Sequence, residues 1–387
     1  MDKVRRRRLY ILCLLAVLLA LLSSCAEAAE TPDPEELWQQ AVEDQRAVAA
    51  KVVSIDLDEW TQEEGTEVHT TLFTAEITQG PMRGRQVPGR LEEYTFMGYR
   101  TAPLRAGSRI YIQPALDETG PLGEFADYNR TWGVAFIVAL FAVVLCFMGG
   151  MKGFRSLVAL IVTCLGLAFV FIPMVQGGGS PIGAALLVCA LVTAATLLII
   201  GGFGVKTFSS LLGILAGVAT SGILTVIMQG AMRLTGLVDN EAIRLTQMPG
   251  MEQVNMNGLM FAAILIGALG AAMDVAVSLA SALEELYKKG GLNGLELVRS
   301  GMKIGRDMMG TMTNTLVLAY AGGSLHLVML MAMDMGQFGY MISWELLATE
   351  VLRAMAGSIG LIVIVPATSL ISALMYRKPG TLENPFS

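Results

Sequence analysis

GLMFAAILIGALGAAMDVAVSLASALEEL at residues 258–286, YKKGGLNGLELVRSGMKIGRD at 287–307 and MMGTMTNTLVLAYAGGSLH at 308–326 follow one another without a gap. The first and third are apolar and have the length, about 20 residues, that crosses a bilayer as a helix. The middle run is basic and amphipathic. Both apolar runs carry polar groups where hydrocarbon is expected. Asp274 lies deep in the first, and Asn314 sits between Thr313 and Thr315 near the start of the second. A carboxylate at that depth is costly, so it is expected to face a bundle interior or a wet cavity. The stretch predicts two membrane-spanning helices joined by a connector over 284–310.

The composition agrees. The chain has 387 residues, 54% hydrophobic and only 16% charged, with a mean hydropathy of +0.58. A soluble domain carries about a quarter charged residues. The net charge of −6 is uneven, because residues 26–131 hold most of the acids. No basic region with interleaved aromatics exists, so nucleic acid is not expected as a partner. Five cysteines and two histidines provide neither a disulfide framework nor metal-ligand spacing, so no metal and no cofactor is expected. The chain has no Walker A loop, no HExxH and no Gly-x-Ser-x-Gly, and it is not expected to be an enzyme.

Residues 1–25 join Arg5–Arg8 to the apolar run LYILCLLAVLLALL and then to Ser-Ser-Cys, the layout of a signal or anchor helix. Leu22 to Cys25 resembles a lipobox, which would make Cys25 a lipidation site. The other reading is an uncleaved anchor. Residues 26–131 form the extracytoplasmic part. The alternating runs AKVVSIDL, VHTTLFTAEIT, LEEYTFMGY and RIYIQPA, separated by Gly/Pro turns, predict a small β-barrel or sandwich with its core at about 48–115. Its role is open between a passive cap and a docking module for a substrate or protein partner.

Residues 132–387 contain seven apolar runs, at roughly 133–150, 155–173, 182–200, 208–232, 257–283, 311–333 and 354–375. Lys152, Arg155, Lys206, Lys288, Lys289, Arg299, Lys303, Arg306, Arg377 and Lys378 fall on alternate sides of these runs from the few outer arginines. The positive-inside rule then puts the connector and both termini in the cytoplasm and residues 26–131 outside. The fold class expected is mainly α: a polytopic transmembrane helix bundle of a bacterial cytoplasmic membrane, with a small exported β domain near the N-terminus.

Gly267, Gly270, Asp274, Ser278 and Ser281 recur at helical spacing and make one small, polar stripe. In an antiparallel helix pair, Asp274 and Ser278 are expected near Asp307, Thr311, Asn314 and Thr315. A carboxylate with amide and hydroxyl oxygens suits a proton, a hard cation or a small solute. The alternative is that Asp274 only hydrogen-bonds Asn314 and locks the bundle. Asn293 is expected to cap an amphipathic helix in the connector, lying on anionic headgroups. Glu350 and Arg353 stand three residues apart and pair on one face, either as a snorkelling pair or, with His326, as an outer gate. Gly213-Ile214-Leu215-Ala216-Gly217 followed by Ser221 reads as ordinary small-residue helix packing. Pro366 is expected to kink the last span.

GALGAAMDVAVSLASALEEL (267–286), MGTMTNTLVLAYAGGSL (309–325) and EVLRAMAGSIGLIVIVP (350–366) resemble the YibE/F-like family of bacterial membrane proteins. The resemblance extends over roughly residues 45–375. It implies an N-terminal anchor, an exported β domain, a seven-span body and a transport-related role, and it assigns no catalytic residues. The expected function is a secondary transporter or permease component. The alternative is a non-transporting scaffold that docks partners through its exported domain.

Overall fold

The computed structural model describes residues 34–44, 46–63, 66–94, 102–117, 120–248, 250–251, 253–333 and 338–376. The expected anchor at 1–25, Cys25, and the basic pair Arg377 and Lys378 lie outside the described residues. The chain divides into two compact units, residues 1–140 and 141–387.

The first unit opens with α1 (Pro34–Glu43). Five strands follow: β1 (Val48–Glu63), β2 (Thr66–Ile77), β3 (Gln86–Tyr94), β4 (Arg109–Asp117) and β5 (Gly120–Tyr128). They pair in the closed barrel order β1-β2-β3-β5-β4. All pairings are antiparallel except β3 with β5, which is parallel at Gly89↔Gly123. Those two glycines are where closure is tightest. The Phe73 ring occupies the space a Cβ of Gly89 would need, and Ile112 lies 2.9 Å from a Cβ at Gly123. Large side chains from β2 and β4 thus fill the interior over a pair with no side chains of its own. Trp38 of α1 is fully buried among Ile77, Ile110 and Ile112. Its Nε1 donates to Ala115 O at 2.9 Å. The expected core of 48–115 is therefore extended to Tyr128, and a helix closes it.

The described residues of the second chain segment are mainly helical. It comprises α2 (Thr131–Gly166), a π-helical turn (Leu167–Phe171), α3 (Ile172–Gln176), α4 (Pro181–Gly201), α5 (Val205–Met232) and α6 (Asn240–Thr246). Then come α7 (Met256–Gly290), α8 (Gly294–Gly323), α9 (Leu325–Met333), α10 (Phe338–Met341) and α11 (Glu345–Met375). Among the described residues five helical stretches are long and apolar enough to cross a membrane, or six if α8 and α9, bent by 72°, count as one. Seven runs were expected. Residues 131–176, a single 46-residue stretch in that count, are two helices joined across a kink, as the expected runs 133–150 and 155–173 have it. That stretch breaks at Gly150 (φ 56°, ψ −132°). A Cβ on Gly153 would collide with Leu145 O. Eight residues of continuous helix would span about 12 Å, so the chain doubles back between the two expected runs.

The bundle is organised around α11, which packs on α5, α7 and α8. Gly213, Gly217 and Ser221 of α5 face Thr368, Ile364 and Gly360 of α11 with no room for larger side chains. Ser221 Oγ donates to Ala356 O at 2.8 Å. On another side of α11, Gly301 and Gly305 of α8 take Ser369 and Val365. Small residues let the backbones approach, and van der Waals contact over that length replaces the hydrophobic drive that is missing in lipid. Pro366 lies on the exposed side of α11, and the helix continues through it.

The connector differs from expectation. Residues 284–290 are the end of α7. Residues 294–310 are the first half of α8, with Leu297, Gly301 and Gly305 buried in the bundle. Asn293 stands at the N-cap position but makes no capping hydrogen bond. No separate interfacial helix forms, because the apolar face of this segment is taken up by α11 and α7.

Gly360→Leu should lower the thermal midpoint of the detergent-solubilised chain, by overpacking worth about 1–3 kcal/mol or more. Gly230→Ala, with nothing within 4 Å of the added Cβ, should leave it unchanged or raise it. Equal behaviour of the two variants would remove the close α5–α11 contact as a determinant of the fold.

Candidate functional site

The helix pair α7–α8 is antiparallel. The Tyr320 hydroxyl lies 2.7 Å from where a Cβ of Gly267 would be, and Leu283 lies 3.1 Å from where a Cβ of Gly301 would be. Between these two contacts the register carries Asp274 to the level of Thr311 to Thr313. The expected neighbours are thus at one height. They are not joined. Asp274, Ser278, Asp307, Thr311, Asn314 and Thr315 are all exposed on the outer side of the helices, as are Gly267 and Gly270. Asp274 makes no hydrogen bond or ion pair among the described residues. Thr311 Oγ1 turns back to Met308 O at 3.0 Å and Thr315 Oγ1 to Thr311 O at 2.9 Å. Such back-bonding is how helices absorb hydroxyls without a partner elsewhere. The polar stripe faces out of the bundle rather than into it.

Thr313 behaves differently from its neighbours. Its hydroxyl is buried and has no partner, at the height of Asp274. Sequence reading passed over it as a flank of Asn314. The signal was available: Met309, Thr313, Leu316 and Tyr320 share one face at intervals of four, three and four.

A second cluster lies about two turns away along the same helices. Arg353 Nη1 donates to Glu350 Oε1 at 2.9 Å, with side chains 27% and 17% exposed. The pair is too covered for simple snorkelling into water. Arg353 Nε and the Tyr320 hydroxyl are both buried without partners, and Tyr320 lies within electrostatic reach of both Arg353 and Glu350. Beside them Leu316 and Ala268 lie 3.2 Å and 3.4 Å from where a Cβ of Gly357 would be. Three helices therefore meet at Gly267, Tyr320 and Arg353. Two unsatisfied donors at such a junction are costly unless something accepts from them.

His326 does not join this cluster. It is exposed on α9, past the 72° bend, and makes no hydrogen bond or ion pair among the described residues. Tyr320 takes the position expected of it. Glu345, at the start of α11, is structural: its carboxylate accepts from Thr235 Oγ1 at 2.9 Å and Gly236 N at 2.9 Å, tying down the turn after α5. Among the described residues no group of three or more metal-ligating side chains occurs.

The five or six membrane-length helices among the described residues, with polar groups at mid-helix, are compatible with an α-helical membrane protein. The chain belongs to the YibE/F-like protein family, whose sequence profile matches residues 137–378. The three family-like runs lie inside the match, and the β domain lies outside it. No curated protein and no solved structure matches the chain.

Tyr320→Phe should leave the thermal midpoint unchanged or slightly raised, because its hydroxyl has no bond to lose. Arg353→Gln should destabilise the fold by about 1–2 kcal/mol and so lower the midpoint, because it strands Glu350 in a largely covered site that water only partly screens. Thermal melts of the purified chain decide both.

Proposed function

We propose that the chain resides in the bacterial cytoplasmic membrane with its N- and C-termini in the cytoplasm and residues 26–131 outside. There it acts as a secondary transporter or permease component. The observation that carries this reading is the alignment of polar groups, among them the buried and unpartnered hydroxyls of Thr313 and Tyr320, along one helix set. Asp274 and Thr313 stand at one height, and Glu350, Arg353 and Tyr320 stand about two turns further toward the start of α11. In lipid, polar groups of this kind mark an ion or solute path more readily than a packing seam. Asp274 and Ser278, with Asp307, Thr311, Asn314 and Thr315, would form the inner segment, and the Arg353 cluster the outer one. The solute is small, no cofactor takes part, and no enzymatic step is assigned.

The outward direction of the Asp274 stripe favours a second reading, a scaffold that presents this face to another membrane protein and its β domain to an outer partner. The two readings separate experimentally. In vesicles loaded with a pH-sensitive dye and driven by an imposed potential, Asp274→Asn should cut proton flux at least about tenfold if the carboxylate lies on the path. Flux equal to wild type, for protons and for every solute tried, contradicts transport. Loss of partner capture on deletion of residues 30–125, with the helices still folded, would support the scaffold instead.

A further inference from the structure

The wall around Asp274 is open on one side. Gly270 and Asp274 of α7 and Gly310, Thr311, Asn314 and Thr315 of α8 are all exposed. Gly267, at the start of the α7 row, lies against Tyr320 of α8, so the two exposed rows border one another. Asp274 has no hydrogen bond or ion pair among the described residues, and Thr311 and Thr315 spend their hydroxyls on their own helix. A carboxylate turned toward acyl chains is costly, and a polar path belongs in a bundle interior or a wet cavity. In one copy of the chain the site is therefore incomplete.

What completes it must offer donors near the depth of Asp274 and room for its side chain. The chain has both on its own outer face. The register set by Gly267 with Tyr320 and by Leu283 with Gly301 puts Gly310 within a turn of the height of Asp274. It puts Gly270 within a turn of the height of Asn314. Beyond its own helix backbone, neither glycine has an atom within 4 Å of where its Cβ would be, so both are open to the outside. A two-fold axis along the membrane normal keeps every residue at its depth and lays α7 of one copy antiparallel to α8 of the other. Each polar side chain then faces a glycine of the partner copy, Asp274 over Gly310 and Asn314 over Gly270. The Asn314 amide brings donors to the wall opposite the carboxylate. Leu318, 61% exposed and one turn beyond Asn314, supplies apolar contact at the edge.

We propose that the chain works as a two-fold dimer in which the α7–α8 faces of two copies enclose one polar cleft, lined by both Asp274 carboxylates and both Asn314 amides. The contact is isologous, with the same surface used by each copy. Small residues on both helices let the copies approach, as they do between helices in lipid generally. The two α7–α8 pairs make a four-helix arrangement with a polar interior, which is where bundles keep their sites. The inference rests on the reading of the Asp274 face as an ion or solute path, and it supplies the second wall that such a path needs.

Two differently tagged populations of the full chain, cleared of its own cysteines, test it after joint reconstitution in vesicles of phosphatidylglycerol and phosphatidylethanolamine. One carries Ser278→Cys and the other Asp307→Cys, positions that the same register puts at one height. A short bis-maleimide should join the two tags. Ile223→Cys in both populations, on the exposed side of α5, should give no such product. Gly270→Leu should raise the dimer dissociation constant, counted by single-molecule photobleaching, about tenfold or more through overpacking of the cleft. Its thermal midpoint should not fall, because the added side chain meets nothing in its own copy. A wild-type chain counted as single copies overturns the proposal, as do equal cross-linking at Ile223 and unchanged pairing in Gly270→Leu. If Gly270→Leu does not fold, the wild-type count and the cross-links decide. Flux that Asp274→Asn abolishes in a chain of single copies would keep the path and remove the dimer. A dimer whose flux is untouched by Asp274→Asn would keep the pairing and remove the path.

Discussion

The helical unit depends on how closely α5 and α11 approach. At Gly213, Gly217, Ser221, Gly360 and Thr368 the two backbones nearly touch, and Ser221 bonds across the seam to Ala356 O. A helix of Leu and Val would be held about 8–10 Å from its neighbour, and α11 could not then also seat Gly301 and Gly305 of α8. With α11 so placed, α7 and α8 have fixed inner faces: Leu265, Leu279, Leu283 and Leu297 point inward. What those helices keep on the outside follows directly. Gly270, Asp274 and Ser278 are left out because the inner positions are already taken.

This also explains why the site took a different form from the one the sequence suggested. The stripe around Asp274 and the pair Glu350–Arg353 were both legible from residue spacing. Their direction was not. A small-residue stripe at i, i+3, i+4 and i+7 looks the same whether it packs on a neighbour or faces outward. The chain has two such stripes, on α5 and α7, and only the first is consumed internally. Tyr320 and Thr313 were missed because one aromatic and one threonine in an apolar run read as ordinary span residues. Their hydroxyls become conspicuous only when no acceptor is found beside them.

The fold was legible where hydrophobicity was periodic or continuous and obscure where glycine or charge interrupted it. Strand β5, GPLGEFADY, contains two glycines, a proline and two acids and gave no alternating pattern, yet it closes the barrel against β4 and β3. Its Gly123 is small because Ile112 needs the space. The connector 284–310 reads as a surface helix because Lys288, Lys289, Arg299, Lys303 and Arg306 are spread along it. Leu297, Gly301 and Gly305 form a narrow buried seam beneath those charges, and α8 runs on through Thr311 without a break.

The central claim is that the outer face of α7 and α8 around Asp274 meets water or a polar solute within the membrane. Place a single cysteine at position 274 after replacing Cys13, Cys25, Cys146, Cys164 and Cys189, and expose it to a charged, membrane-impermeant thiol reagent in sealed vesicles. The account predicts labelling from at least one side, with protection by a small permeant ion or solute. Labelling only by lipid-soluble reagents, with none from either aqueous side, would place Asp274 against acyl chains or another protein and contradict it.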